Sequence, residues 1–424
     1  MVGKSHYLLL YFCILSIAAP LEAHAERTGY SSLSPSEELD LEQAVSRVLT
    51  HSLTLKSACN DAQMSRHQLR QAQLAPNPVA GYEVENFAGN NRWKGWDSRE
   101  ERIFCSQQVE TAGKRDYRSQ ASMYQYYAAL VGYDVSKLVV LNRLSRAFIH
   151  VAASQELLKL AEEQASIAEE VLQIATKKAE TGKVSFIEQT KAEVAYSDAL
   201  SAVDNAKVEL NNSKKRLSLL FASACPDFDR VVFPFYEIKE LPSFEQCLAN
   251  LCNQPEIIQS LYQTLKAEKS WKLEKAGRIP DVTVEIGYKA NYEESNRGLM
   301  AGISIPIPLF DQNQGNVKSA YYEMLKTGDL GRQLWLVLES RLSISHEDAT
   351  RAYLEAKRIK ERSLPSATKS FELAQKGYQE GKFEYLDVLD AERTLFGVKE
   401  RYIQSLVNYH TRQADIDYLN SMTD

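Results

Sequence analysis

The sequence predicts a mainly α-helical fold with a small β part, in which one helix–strand–strand–long helix–helix unit is written twice. Three observations predict it. Matching segments recur about 200 residues apart, each copy holds two alternating segments of strand length, and each holds a proline-poor stretch far longer than an ordinary helix.

The chain opens as a secretory signal. Lys4 supplies a positive start, Tyr7 to Ala19 is an apolar run too short to span a bilayer, and Ala23-His24-Ala25 offers a small-x-small cleavage site. Residues 1–25 are therefore expected to be removed, with residues 26–35 as a linker. Cys13 sits inside the apolar run without the small-residue setting of a lipoprotein cysteine, so no lipid anchor is expected. No later segment approaches the roughly 20 apolar residues of a membrane helix. An exported chain of this kind is periplasmic, secreted, or built into the outer membrane as strands.

The first repeat is expected over 36–221 and the second over 243–424, joined by a linker over 222–242. Leu41-Glu42-Gln43-Ala44 opens a helical stretch that runs to Ala72 and Pro76; Phe244-Glu245-Gln246-Cys247 opens its counterpart, which runs to Ala276 and Pro280. Strands follow at about 79–88 and 102–110, separated by a polar loop carrying Trp93 and Trp96. The second copy has strands at about 282–291 and 299–307, where Val282, Val284, Ile286 and Tyr288 alternate with polar residues. Both pairs match the 9–11 residues of a tilted membrane strand.

Then come the rods. Lys114 to Thr181 has no proline, and Gly315 to Glu380 has only Pro365. At about 1.5 Å per residue, some 65 helical residues reach on the order of 100 Å, a length for which a globular domain has no use. Apolar or small residues fall at helical steps through Leu157, Ala161, Ala165, Ala168, Leu172, Ala175 and Ala179, and the last helix keeps a seven-residue stripe through Leu395, Tyr402, Tyr409 and Ile416. The same pattern would suit an ordinary long coiled coil. Each rod ends at a glycine turn, Thr181-Gly182-Lys183-Val184-Ser185 in one copy and Glu380-Gly381-Lys382-Phe383-Glu384 in the other.

A net charge of -6 provides no basic surface for nucleic acid. His51, His67, His150, His346 and His410 show no ligand spacing with one another or with cysteine, so no metal site is expected. No phosphate loop, nucleophile elbow or HExxH motif is present, so neither catalysis nor a cofactor is expected. Cys59, Cys105, Cys225, Cys247 and Cys252 are odd in number and unevenly spaced, which argues against a disulfide framework; small buried residues are the expectation.

Four short strands per chain cannot close a membrane barrel, and an open edge in lipid would leave backbone groups unsatisfied at several kcal/mol each. Strands placed in a membrane therefore require several chains to share one barrel, and two or three copies both satisfy closure. The duplicated plan resembles the TolC family of outer-membrane efflux proteins over essentially the whole mature chain. The corners Ser304-Ile305-Pro306-Ile307-Pro308-Leu309-Phe310-Asp311-Gln312-Asn313-Gln314-Gly315 and Ser106 to Arg115 are similar to those of its cobalt–zinc–cadmium resistance branch. The first corner carries no proline and rests on Gly113-Lys114-Arg115 alone.

The resemblance implies a homotrimer with a 12-stranded outer-membrane β-barrel on a 12-helix α-barrel in the periplasm. It also implies a periplasmic adaptor protein docked at the tips and an inner-membrane resistance-nodulation-division pump behind it. The tips are then Gly182, Lys183, Val184, Ser185, Gly381, Lys382, Phe383 and Glu384, and Asp387, Asp390 and Glu188 form the channel-entrance gate, with the two aspartates as an acidic ring. In the first copy Glu188 matches Asp387, whereas Lys191 matches Asp390. Ser185 and Glu188 also form a Ser-x-x-Glu pattern that a capping box would explain. The corners favour heavy-metal cations as cargo, with drugs or secreted proteins as alternatives, and a soluble periplasmic scaffold or adaptor is the rival of a different class.

Overall fold

A computed structural model describes residues 36–182 and 184–420, so the expected signal segment, the linker before residue 36 and Lys183 lie outside the described residues. In chain order the elements are β1 (Ser36–Leu39), α1 (Leu41–His51), α2 (Leu53–Ala72), β2 (Val79–Glu85), β3 (Glu100–Val109), α3 (Lys114–Glu180) and α4 (Phe186–Leu220). They continue with β4 (Phe228–Val231), α5 (Phe244–Leu251), α6 (Pro255–Ala276), β5 (Val282–Asn291), β6 (Asn296–Ser304), α7 (Gln314–Arg358), α8 (Leu364–Gln379) and α9 (Tyr385–Leu419).

The two copies begin with the same device. Asp40 and Gln43 cap each other's backbone at the start of α1, and Ser243 and Gln246 do so at the start of α5. The glutamine kept in both opening motifs is thus the third residue of a capping box.

The first rod, α3, runs unbroken for 67 residues. The second reaches the same turn only by widening into a π-helical turn at Ile359–Ser363. Pro365 is the cause, because it lacks the N–H that an α-helix requires there and its ring would strike the carbonyl one turn back. The wider turn also rephases the buried stripe. Ile359 and Ala367 are both buried, yet eight residues of plain α-helix would leave them about 80° apart.

Small side chains set the helix spacing. Ala161, Ala165 and Ala168 of α3 are buried against Ala199 and Val203 of α4, and Leu395, Tyr402, Tyr409 and Ile416 form one buried face of α9.

β2, β3, β5 and β6 make one antiparallel sheet in that order, so the two hairpins join through β3 and β5. Several strand boundaries differ from expectation. β2 stops at Glu85 because Asn86 turns left-handed (φ 56°), and β6 starts at Asn296 because Ser295 (φ 57°) closes a tighter hairpin. The ladder then ends at Ser304, two residues before Pro306, which has no donor to give it.

The inter-repeat segment is more than a linker. β4 pairs in parallel with β1, and together they strap the middle of the rods. The Gln155 side chain on α3 accepts from Val231 N at 2.7 Å and donates to its carbonyl, while Tyr409 on α9 accepts from Lys239 N and donates to Lys239 O at 2.7 Å. Leu39, Phe228, Val231 and Phe235 are buried there against Leu144, Phe148 and Leu406, in the largest apolar cluster of the chain. Both strands are four residues long with no long alternation, which hid them in the sequence.

Candidate duct wall and entrance

Both glycine turns have the geometry their sequence demands. Gly182 (φ 71°) and Gly381 (φ 76°) adopt the left-handed conformation that stops a helix. After α8, Lys382 N donates to Gly377 O at 2.8 Å and Gly381 N to Tyr378 O at 3.0 Å, a complete Schellman turn. The Phe383 ring folds back over Gly377, where a Cβ would meet its Cε2 at 2.6 Å. Glycine is needed at 377 for that close approach rather than for φ.

The capping assignments are exchanged relative to expectation. Ser185 accepts from Ile187 N at 3.2 Å, but no capping box with Glu188 forms. The box forms instead at the second tip, where Asp387 Oδ2 accepts from Glu384 N at 3.0 Å and the Glu384 side chain caps the N3 backbone. Asp387 therefore has a structural duty as well as exposure to solvent, whereas Asp390, also exposed, lies one turn on with no share in the cap.

Glu188 is half-buried and its Oε2 has no hydrogen-bond partner; the hydroxyl of Tyr378, from the other repeat, is buried and unpartnered in the same way. Burial, and then the nearby Glu188 carboxylate, push the Tyr378 phenol up to about 12. Lys178 Nζ lies 3.9 Å from the centre of the Tyr378 ring and donates to the Tyr378 carbonyl. The fold thus brings Tyr378 of the second repeat against Glu188 and Lys178 of the first, while Asp387 and Asp390 stay exposed on their own helix. Sequence reasoning missed Lys178 and Tyr378. The signal was the duplication itself, since aligning the copies sets Lys178 opposite Gly377 and Ala179 opposite Tyr378.

The turn residues lie beside large exposed apolar groups: Phe186, Ile187, Phe383 and Leu386 are all about half exposed or more. Four such side chains at one end of a helical hairpin pair are a contact surface rather than scattered exposure.

At the opposite end of the rods the sheet has two unlike faces. Register places Tyr82, Ile103, Tyr288 and Leu299 side by side, with Ala80, Cys105, Ile286 and Ala301 in the next row. This face is apolar and open, with Leu299 90% and Ile286 64% exposed. The other face carries Glu83, Arg102 and Lys289 in one row and Glu285 two rows on. Arg102 pairs with Glu83 at 2.7 Å and Glu285 at 3.2 Å, and Lys289 pairs with Glu100. Apolar outside and polar inside, with a period of two, is the pattern of a membrane barrel wall. The outer edges of β2 and β6 have no partner strand within the chain.

Asp281 ties the wall to the rods. It accepts from Thr111 N at 2.9 Å, Gln108 Nε2 at 2.9 Å and Lys114 Nζ at 2.6 Å, and these partners hold its carboxyl below the usual range against the opposing effect of burial. The first corner, which has no proline, is fixed by this carboxylate from the second repeat.

Among the described residues no group of three or more His, Cys, Asp or Glu is arranged to hold a metal ion, and no helix is long and apolar enough to cross a membrane. The five cysteines among the described residues are unpaired. Only Cys247 is buried, so the expectation of small buried residues fails for Cys59, Cys105, Cys225 and Cys252. Trp93 and Trp96 are exposed in the β2–β3 loop, where Trp96 packs on Phe87.

Residues 44–223 and, separately, 249–419 match the family described as Outer membrane efflux protein. The chain belongs to that family. Membership makes it an outer-membrane efflux component, from a family of channel proteins and not of enzymes. Among relatives, the cobalt-zinc-cadmium resistance protein CzcC of Cupriavidus metallidurans is 29% identical, covering 89% of each chain. The crystal structure of CusC superposes with a TM-score of 0.77 at 18% identity over 91% of this chain and 93% of CusC. The outer membrane protein VceC of Vibrio cholerae gives 0.75 at 16%, over 90% and 95%. At these identities the structural neighbours share the efflux-protein fold with this chain.

Proposed function

We propose that three copies of this chain close a single passive duct through which heavy-metal cations leave the cell. The observation that carries this reading is the four-stranded sheet: one face apolar and open, the other lined by ion pairs, with both edges unpaired. Such a sheet is stable in lipid only when another copy pairs each edge, which abolishes the edges altogether. An inner-membrane pump supplies the energy and a periplasmic adaptor reaches the tips, residues 182–185 and 381–384, where Phe186, Ile187, Phe383 and Leu386 offer apolar contact. Asp387 and Asp390 form the cation-holding ring at the entrance. Glu188, half-buried beside Tyr378, keeps the two tip hairpins of one protomer together. The cargo is taken from the resemblance to the cobalt-zinc-cadmium resistance protein.

Membrane fractionation tests the wall. The protein should resist carbonate and require detergent; release by carbonate would make it a soluble periplasmic scaffold instead. Deleting its gene should sensitise cells to cobalt, zinc or cadmium, and restored resistance on complementation checks the cargo. Unchanged metal resistance together with new drug sensitivity would reassign the duct to drugs.

A further inference from the structure

The polar face of the sheet contains one large side chain laid down on glycine. Gly81, Phe104, Gly287 and Met300 occupy a single row. A Cβ on Gly81 would come 2.5 Å from Phe104 Cε1, so the ring lies across β2 in the space a side chain would fill. The Arg102 guanidinium is stacked over that ring, 4.5 Å from its centre, and is held from both sides by Glu83 on β2 and Glu285 on β5. Ring, cation and two carboxylates therefore form one flat layer on the wall, with the Arg102 side chain still 30% exposed.

We propose that this layer sets the charge preference and the free bore of the outer part of the duct, favouring cations over anions; this rests on the reading of the sheet as one third of a closed barrel. Gly81 keeps the bore open, because it lets Phe104 lie on the wall rather than project toward the axis. Arg102 sets the charge. The polar face carries four carboxylates (Glu83, Glu85, Glu100 and Glu285) against two cations (Arg102 and Lys289), so the wall is net negative, with Arg102 the cation shared between two of its carboxylates. A negative ring attracts cations and raises their local concentration, and a fixed cation within it limits that preference.

Planar-bilayer recording of the purified full-length protein tests both roles. Under a salt gradient at low ionic strength, Arg102→Gln should shift the reversal potential toward cations, raising the cation-to-anion permeability ratio about twofold or more, and the shift should shrink as salt rises. Arg102→Lys should stay near the wild-type ratio. Gly81→Ala should lower conductance by pushing Phe104 into the bore, and Gly81→Ala with Phe104→Ala should restore it. An unchanged reversal potential in Arg102→Gln overturns the charge role, and unchanged conductance in Gly81→Ala overturns the bore role. A wild-type protein that inserts but gives no conductance overturns instead the duct reading on which both stand.

Discussion

Replacing Gly377 by alanine tests how the second tip is built. Residue 377 is helical and its φ is ordinary, so alanine should gain up to about 1 kcal/mol of helix propensity. Against this, the new Cβ would lie 2.6 Å from Phe383 Cε2 and 3.0 Å from Cγ, and a ring struck along a whole edge has to leave. Phe383 is 49% exposed, so about half of a buried phenylalanine's contribution, roughly 1 kcal/mol, is lost with it. The hydrogen bonds from Lys382 N and Phe383 N to Gly377 O then weaken, at about 0.5–1.5 kcal/mol each. Global stability should fall by about 1–3 kcal/mol at most, because a helix gain of about 1 kcal/mol offsets only part of a loss of about 2–4 kcal/mol. The tip alone should open more easily by about 1–2 kcal/mol, a roughly tenfold faster amide exchange at Gly381, Lys382 and Phe383. Hydrogen–deuterium exchange of the detergent-solubilised protein reads this directly. Unchanged protection at those amides would show that Phe383 is not seated on Gly377. As a control, Gly377→Ala in a Phe383→Ala background should only stabilise.

Three further outcomes are expected. Asp387→Asn with Asp390→Asn should weaken cation block of single-channel current while keeping an oxygen for Glu384 N, whereas Asp387→Ala should also cost about 1 kcal/mol of cap; block equal to wild type would remove both aspartates from the entrance ring. Glu392 is buried on α9, and desolvation raises its carboxyl above the ordinary range. Its folded-state pKa exceeds its unfolded one, so its contribution is most favourable at low pH and is lost as pH rises through the raised value; Glu392→Gln should melt higher than wild type at neutral pH, with the gap closing on acidification. Pro365→Ala should change stability by less than about 1 kcal/mol, rather than the roughly 3 kcal/mol of a proline inside a regular helix, because the π turn has already absorbed the missing donor; a thermal melt raised well beyond that range would show that the turn stores strain.

The duplication, the rods, the strand pairs and the glycine turns were legible because each is written in local, repeated chemistry. Gln43 and Gln246 recur as capping partners, the alanines of α3 repeat at helical steps, and Val284 to Tyr288 alternate with period two. The strap formed by β1 and β4 was not legible, since four-residue strands carry no period and Phe228, Val231 and Phe235 find their burial only against helices far along the chain.

At the tips the same division holds. Gly182 and Gly381 are legible from sequence alone, because a left-handed residue at a helix end strongly favours glycine. Which acid caps and which is buried was decided only by tertiary structure. Ser185-x-x-Glu188 satisfies the capping pattern, yet Glu188 turns toward Tyr378 of the other repeat, and Asp387 takes the capping role at the second tip. A local hydrogen bond worth about 1 kcal/mol yields to packing between elements nearly 200 residues apart, and sequence spacing has no means of recording that competition.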